Sequence, residues 1–258
     1  MKHLYLLLSL FLVTITQGQI TQDTLYIWKA GQLVIKQSIK PVDTDSITFK
    51  RPTVAPIIMP NVTICNQVWA TKNLDVTTYS DGTPIPQVTD PTAWAALTTG
   101  AWCYYNNAAA NNAVYGKLYN WYAAAGIYDA ASLGNSTLRK NLAPTGWHVP
   151  TDAEWTTLTT CLGGEPVAGG KMKETGTTHW YSPNFGATNS SGFTALPGGY
   201  RVNDNGNTFD IGAGGYLWSS SELDADTAWY RGVYSGGSNC ARQGSFKAGG
   251  FSVRCLRN

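Results

Sequence analysis

The sequence predicts a loop-rich α+β protein: helices in the first half of one large domain, short antiparallel strands in its second half, and a small β segment ahead of both. Three observations carry this reading. Helix-start signals gather before residue 165, while β-prone runs broken by turn residues gather after residue 190, the order expected of segregated helices and strands. Charged residues make up only 13% of 258, against roughly a quarter in ordinary soluble domains, and 27 Gly, 10 Trp and 14 Tyr stand in their place. Five cysteines are spread along the chain, with no CxxC pair among them.

The elements follow in order. Lys2 and His3 precede an apolar run from Leu4 to Ile15, and Thr16-Gln17-Gly18 follows it. That is the layout of a secretory signal peptide over 1–18. The run is shorter than the roughly 20 residues that a membrane helix needs, no later stretch is long and apolar enough to span, and no cysteine follows for lipid attachment. The expectation is an exported protein, secreted or held at the cell surface or in the periplasm. Residues 19–50 form a small β segment. Thr24 to Trp28 and Leu33 to Ile35 flank Lys29-Ala30-Gly31-Gln32 as a hairpin, and Ser46 to Phe49 reads as a third strand. Pro52, Pro56 and Pro60 mark 51–60 as a semi-stiff linker.

The main domain spans 61–258. Val62-Thr63-Ile64 and Gln67-Val68-Trp69 read as a hairpin around Cys65-Asn66. Asp90-Pro91 places a cap before a proline at the first helical position, opening a short helix to Leu97. Tyr115, Leu118, Tyr119, Tyr122 and Ala125 recur at helical spacing, with Gly126 as a stop. Thr151-Asp152-Ala153-Glu154 is a capping box, Val149 and Trp155 can form its hydrophobic staple, and Gly163-Gly164 ends the helix. Beyond residue 190, strands are expected over 193–196, 199–202, 215–218, 228–234, 239–243 and 251–256, with Asn203 to Asn207 as a turn.

A formal net charge of +2 argues against nucleic acid or an anionic membrane as partner. Cys/His spacings of zinc sites are absent, and no glycine-rich loop has the strand–loop–helix setting that phosphate binding requires.

Several ordered segments carry a family likeness: Val68-Trp69-Ala70-Thr71-Lys72-Asn73-Leu74, Cys103-Tyr104-Tyr105-Asn106-Asn107, Tyr115-Gly116-Lys117-Leu118-Tyr119-Asn120-Trp121, Pro144 to Asp152, Leu196-Pro197-Gly198-Gly199-Tyr200-Arg201, Trp218-Ser219-Ser220-Ser221-Glu222 and Phe251-Ser252-Val253-Arg254-Cys255. From about Asn61 to the C-terminus the chain resembles the Fibrobacter succinogenes major paralogous domain, an exported bacterial family of unknown function. Val149 to Trp155 and Gly250 to Cys255 are also similar to segments of the formylglycine-generating enzymes, which implies a C-type-lectin-like variant of the α+β fold. The segment from Asp23 to Phe49 resembles a module found ahead of such domains. Family members often carry a cysteine just before Pro-Thr-Gly-Trp, where this chain has Ala143, so pairings do not transfer.

Cysteine chemistry is read two ways. Cys240 and Cys255 flank the Ser245 to Gly249 turn and are expected to form a bridge across a terminal hairpin; the lectin-like resemblance implies Cys161 with Cys255 instead. A redox pair like that of the related enzymes would need a lowered thiol pKa. His148 and His179 have no acid or serine pattern tying them together, so both read as packed residues and no catalytic residue is assigned. No cofactor is expected. Calcium is the one ion for which acids are grouped, through Asp204 and Asp210 or Glu222 and Asp224, although turns use the same residues. Glu165-Pro166-Val167 lacks the second polar ligand of the calcium-dependent sugar sites. The aromatic excess suits sugar rings and protein interfaces. Trp180, Tyr181, Arg201, Trp218, Trp229 and Arg231 are therefore the candidate ligand-binding residues, with glycan or extracellular protein as partner. A structural role in the cell envelope, with 19–50 as a docking piece, is the alternative.

Overall fold

The computed structural model describes residues 59–258 and the paired backbones of two earlier strands. The chain divides into two units, 1–54 and 55–258. In the first, strands β1 (Asp23–Lys29) and β2 (Gln32–Ile39) pair antiparallel from Asp23 opposite Ile39 to Lys29 opposite Gln32, as the hairpin reading requires. The expected leader, the strand expected at Ser46 to Phe49 and nearly all of the expected linker lie outside the described residues.

The second unit is α+β. Its helices are α1 (Pro91–Ala95), α2 (Asn112–Tyr115), α3 (Trp121–Ala124), α4 (Ala130–Gly134), α5 (Asp152–Cys161) and α6 (Glu165–Met172). Its strands are β3 (Asn61–Ile64), β4 (Gln67–Ala70), β5 (Trp102–Cys103), β6 (Leu118–Asn120), β7 (Trp147–His148), β8 (Gly198–Arg201), β9 (Thr208–Ile211), β10 (Gly214–Glu222), β11 (Thr227–Tyr234), β12 (Cys240–Phe246), β13 (Gly250–Phe251) and β14 (Leu256–Arg257). One sheet has eight strands, in the order β12-β11-β10-β8-β13-β6-β5 with β9 beside β8; the other runs β3-β4-β14-β7. All pairs are antiparallel but β8–β10.

The local signals explain much of this. The hairpin β3–β4 closes through Cys65 at positive φ. Asp90 accepts from the N–H of Ala93 and starts α1 before Pro91. Thr151 and Glu154 cap α5 reciprocally, a device worth about 1 kcal/mol. Val149 and Trp155 are buried in different hydrophobic clusters, so the expected staple is not what anchors α5. Instead, the Trp155 indole donates to the carbonyl of Trp218 at 3.3 Å.

Three expectations are corrected. The helical spacing from Tyr115 to Ala125 hides a strand: Gly116, at φ 73°, ends α2, and Leu118–Asn120 then pairs with β5 and β13. A side chain at Gly116 would meet the Leu74 carbonyl at 2.8 Å, so only glycine fits where the chain leaves α2. Strand β6 is buried throughout, which removes the alternation that would have marked it as β. Residues 193–196 make only a single bridge, Ala195 to Lys173. The strand expected over 251–256 is two: Phe251 belongs to the large sheet and Leu256 to the small one, and the residues between carry the chain across. Glu165 and Pro166 form the first turn of α6, which was not expected.

The core is aromatic. Trp218 stacks on Phe251 with centroids 4.3 Å apart, and Trp69 meets Trp155 at 4.6 Å. Regular elements are short, and buried carbonyls both in loops and along the strands take donors from side chains. Indole N–H groups supply them: Trp94 to Ala248 at 2.7 Å, Trp102 to Ile85 at 3.0 Å, Trp121 to Ser219 at 3.0 Å and Trp218 to Tyr119 at 2.9 Å. Buried cations do the same. Arg254 donates to the carbonyls of Ala70, Phe193 and Thr194 and to the Asn73 amide oxygen. Lys173 donates to Phe185, Tyr234 and Gly237 at 2.8–2.9 Å.

Candidate binding surface

Most of the residues singled out from sequence belong to this internal donor set. Trp180 is buried and its indole donates to Ala195 at 3.1 Å. Trp218 is buried under Phe251. Arg201 is buried over Trp94 at 4.5 Å and donates to the carbonyls of Val88, Thr89 and Gly206. Arg231 is buried against Asp152 at 2.6 Å. Trp229 is half-buried, and the Arg242 guanidinium lies 3.4 Å from its ring. Arg242 is itself held by Asp152 at 2.8 Å. Trp180, Trp218, Arg201 and Arg231 are thus built into the interior, while Trp229 lies half-buried beneath Arg242. Aromatic and cationic side chains in a chain short of long ladders are consumed as internal donors, and composition alone does not separate that use from ligand contact.

Three of the four grouped acids are engaged within the fold. Asp210 accepts from the hydroxyl of Tyr216, Glu222 pairs with Arg139 and Lys247, and Asp224 accepts from the N–H groups of Asp226 and Thr227 to close a turn. Asp204 is exposed in the β8–β9 turn. Among the described residues no three His, Cys, Asp or Glu side chains are grouped to hold a metal.

The disulfide expectation is corrected as well. Cys65, at the β3–β4 turn, is bonded to Cys161 at the end of α5, with Cα atoms 6.7 Å apart. Cys240 and Cys255 are buried free thiols in different hydrophobic clusters, as is Cys103 in a third. Cys240 begins the edge strand β12, whereas Cys255 lies where the chain crosses between sheets, so the terminal hairpin that would join them does not exist. Burial pushes the thiols of Cys103, Cys240 and Cys255 up to about 11, about 12 and about 12. His148 sits between Asn258 at 2.7 Å and Glu154 at 3.0 Å, and His179 faces Glu174 at 2.8 Å. Neither imidazole pairs with a nucleophile.

Tyr181 is the one singled-out residue that stands free. It is 60% exposed, and four residues on Phe185 is 60% exposed too. The Tyr181 ring rests on Gly212: a Cβ there would lie 2.5 Å from its Cε1 and 2.8 Å from its Cδ1 and Cζ. Only glycine, here at φ 83°, lets the ring lie flat on the backbone. The Tyr181 N–H donates to the Gly212 carbonyl at 2.7 Å and the Phe185 N–H to that of Ser235 at 2.6 Å. Between them the buried Asn184 amide donates to the carbonyls of Glu174 and Gly176, both at 2.8 Å, and Lys173 holds the Phe185 carbonyl from below. Tyr115 meets His179 edge-on at 6.0 Å beside this loop; partial burial, then the Glu174 carboxylate, raise its phenol pKa. Two exposed rings are thus carried on a short segment whose backbone is tied at both ends and at its centre. Sequence reasoning named Tyr181 but missed Phe185, and an exposed phenylalanine leaves no local signal that separates it from core.

A family model for the Fibrobacter succinogenes major domain matches residues 62–257. No curated protein and no solved structure matches the chain. Among the described residues, no helix is long and apolar enough to cross a membrane.

Proposed function

The chain belongs to the Fibrobacter succinogenes major domain family, and from that premise we propose that residues 59–258 form an exported, non-catalytic binding module on a C-type-lectin-like scaffold. Its contact surface is the loop from Tyr181 to Phe185, and its partner is a glycan chain or an extracellular protein. The observation that carries this reading is the Tyr181 ring, exposed on one side and seated on Gly212 on the other. Such a ring loses little freedom on contact, and rigid aromatic anchors of this kind dominate recognition surfaces.

Two further observations support it. The Cys65–Cys161 disulfide suits an oxidising compartment. The free thiols are buried and hold their protons far above neutrality, the opposite of what a thiolate nucleophile needs. A role in an envelope assembly is the second reading, favoured by the separate β1–β2 hairpin as a docking piece.

The test is to screen the full chain against panels of glycans and extracellular proteins, beside Tyr181→Ala and Phe185→Ala. Retention of a ligand by the wild type, weakened at least about tenfold in either variant at unchanged melting temperature, is the expected result. If every ligand that the wild type retains is bound equally by all three proteins, the placement of the surface is contradicted. Failure of the wild type to retain anything contradicts the binding reading.

A further inference from the structure

A separate cavity lies on the other side of β9 in sequence, where the turn between β8 and β9 faces the start of α1 and the segment around Asn106. Its volume is about 360 Å3, and Thr89, Asn106, Asn107, Arg201, Asn207 and Phe209 form its working lining. Nothing in the binding surface described above uses these residues.

The polar atoms of the lining are half-committed. Asn107 donates its amide N–H to the Thr89 carbonyl at 3.1 Å, which fixes the side chain and leaves its Oδ1 unpaired. Asn106 accepts from the Thr208 hydroxyl, which leaves its Nδ2 unpaired. Both asparagines adopt positive φ, 51° and 55°, held by the backbone bonds Asn107 to Tyr104 and Ala108 to Tyr105. The Asn207 side chain is exposed and makes no hydrogen bond among the described residues. One wall therefore presents a fixed acceptor and a fixed donor from adjacent residues, and a free amide stands with them. Beside them Phe209 is 44% exposed, backed by Tyr200 at 5.9 Å.

Charge narrows the ligand class. The floor is the Arg201 guanidinium, 1% exposed and in no ion pair with a carboxylate among the described residues. A cation there repels metal ions and ammonium groups. Its N–H groups are given to three carbonyls, so it has little left for a ligand acid, and Asp90 and Asp204 lie on the segments that form the rim. Amide donors and acceptors fixed side by side match the vicinal hydroxyls of a sugar, which both donate and accept. An aromatic face matches the C–H side of the ring. The volume is at the small end of ligand pockets, room for a terminal sugar or a disaccharide.

We infer that this cavity, lined by Asn106, Asn107, Asn207 and Phe209 over Arg201, binds the uncharged terminal sugar of a glycan, independently of the Tyr181 loop. The experiment uses the full chain on an array of neutral and acidic glycans, followed by calorimetry with the neutral oligosaccharides retained. Asn207→Ala and Phe209→Ala change exposed side chains and should fold as the wild type does, which the melting temperature checks. The expected result is neutral-glycan binding that is insensitive to salt, falls at least about tenfold in both variants, and is unchanged in Tyr181→Ala. Three results overturn the inference: no neutral glycan retained, retention only of acidic glycans with loss at high salt, or binding lost in Tyr181→Ala but kept in Asn207→Ala and Phe209→Ala. The last of these would uphold the Tyr181 surface while removing this one. Loss confined to the cavity variants places the neutral sugar here and leaves the Tyr181 loop to be tested on the other ligands that the chain retains.

Discussion

Asp152 shows how one side chain in this fold serves several neighbours. It stands at the start of α5, accepts from the buried Arg231 at 2.6 Å and from Arg242 at 2.8 Å, and through Arg242 it holds a cation against Trp229. Partial burial raises its pKa, but the hydrogen bonds from Arg242 and Arg231 outweigh this and leave it below the ordinary carboxylate value of 3.8. A depressed folded-state pKa means that the stabilisation is present above about pH 4 and is lost as pH falls through the folded value. Asp152→Asn leaves the Arg231 cation buried without a counter-charge, so a loss of about 3 kcal/mol is expected near neutrality. The gap between wild type and variant should narrow as pH falls below the ordinary carboxylate range, where the wild-type carboxylate takes up its proton as well. Urea titrations at pH 7 and at low pH measure both; a gap that persists in acid contradicts the pairing. The residues Arg201, Arg231 and Arg254 were the least legible in the sequence. Nothing within a few positions of an arginine tells whether its donors face carbonyls of a distant loop or a ligand, and here the carbonyls bonded by Arg254 lie 60, 61 and 184 residues away.

Elements were legible where their signals are local. The α5 capping box, the Asp90-Pro91 start of α1 and the β3–β4 hairpin each depend on neighbours within four or five positions. Strand β6 was misread because burial on both faces left it with no period of two. The disulfide was misread for a related reason: Cys65 and Cys161 are 96 positions apart, and only the packing of α5 near the β3–β4 turn brings them together. A loop of that length makes the bond a substantial constraint on the unfolded chain, worth about 2–4 kcal/mol. Reduction, or Cys65→Ser, is therefore expected to lower the unfolding free energy from urea titration by that amount, with a lower midpoint, and leave the spectroscopic signature of the native state unchanged below the transition. A midpoint that does not move would remove the staple from the explanation of stability.

At the scale of the molecule, the low charge content and the aromatic excess have one cause. Short strands and helices leave carbonyls unpaired in the interior, and Trp, Arg and Lys side chains take over the role that ladder N–H groups play in more regular folds. The α+β class and the order of the domain were therefore open to sequence reading, whereas the division of the aromatics between core and surface was not. The two contact regions proposed above, the Tyr181–Phe185 loop and the cavity above Arg201, carry the exposed rings of Tyr181, Phe185 and Phe209. A contact module requires that no reactive centre be hidden among the cysteines, and labelling of the native chain with a thiol reagent, followed by disulfide mapping, tests this most directly. The expected result is one bond, Cys65 to Cys161, with Cys103, Cys240 and Cys255 unlabelled until denaturant is added. A bond between Cys240 and Cys255, or rapid native labelling of either, would contradict it.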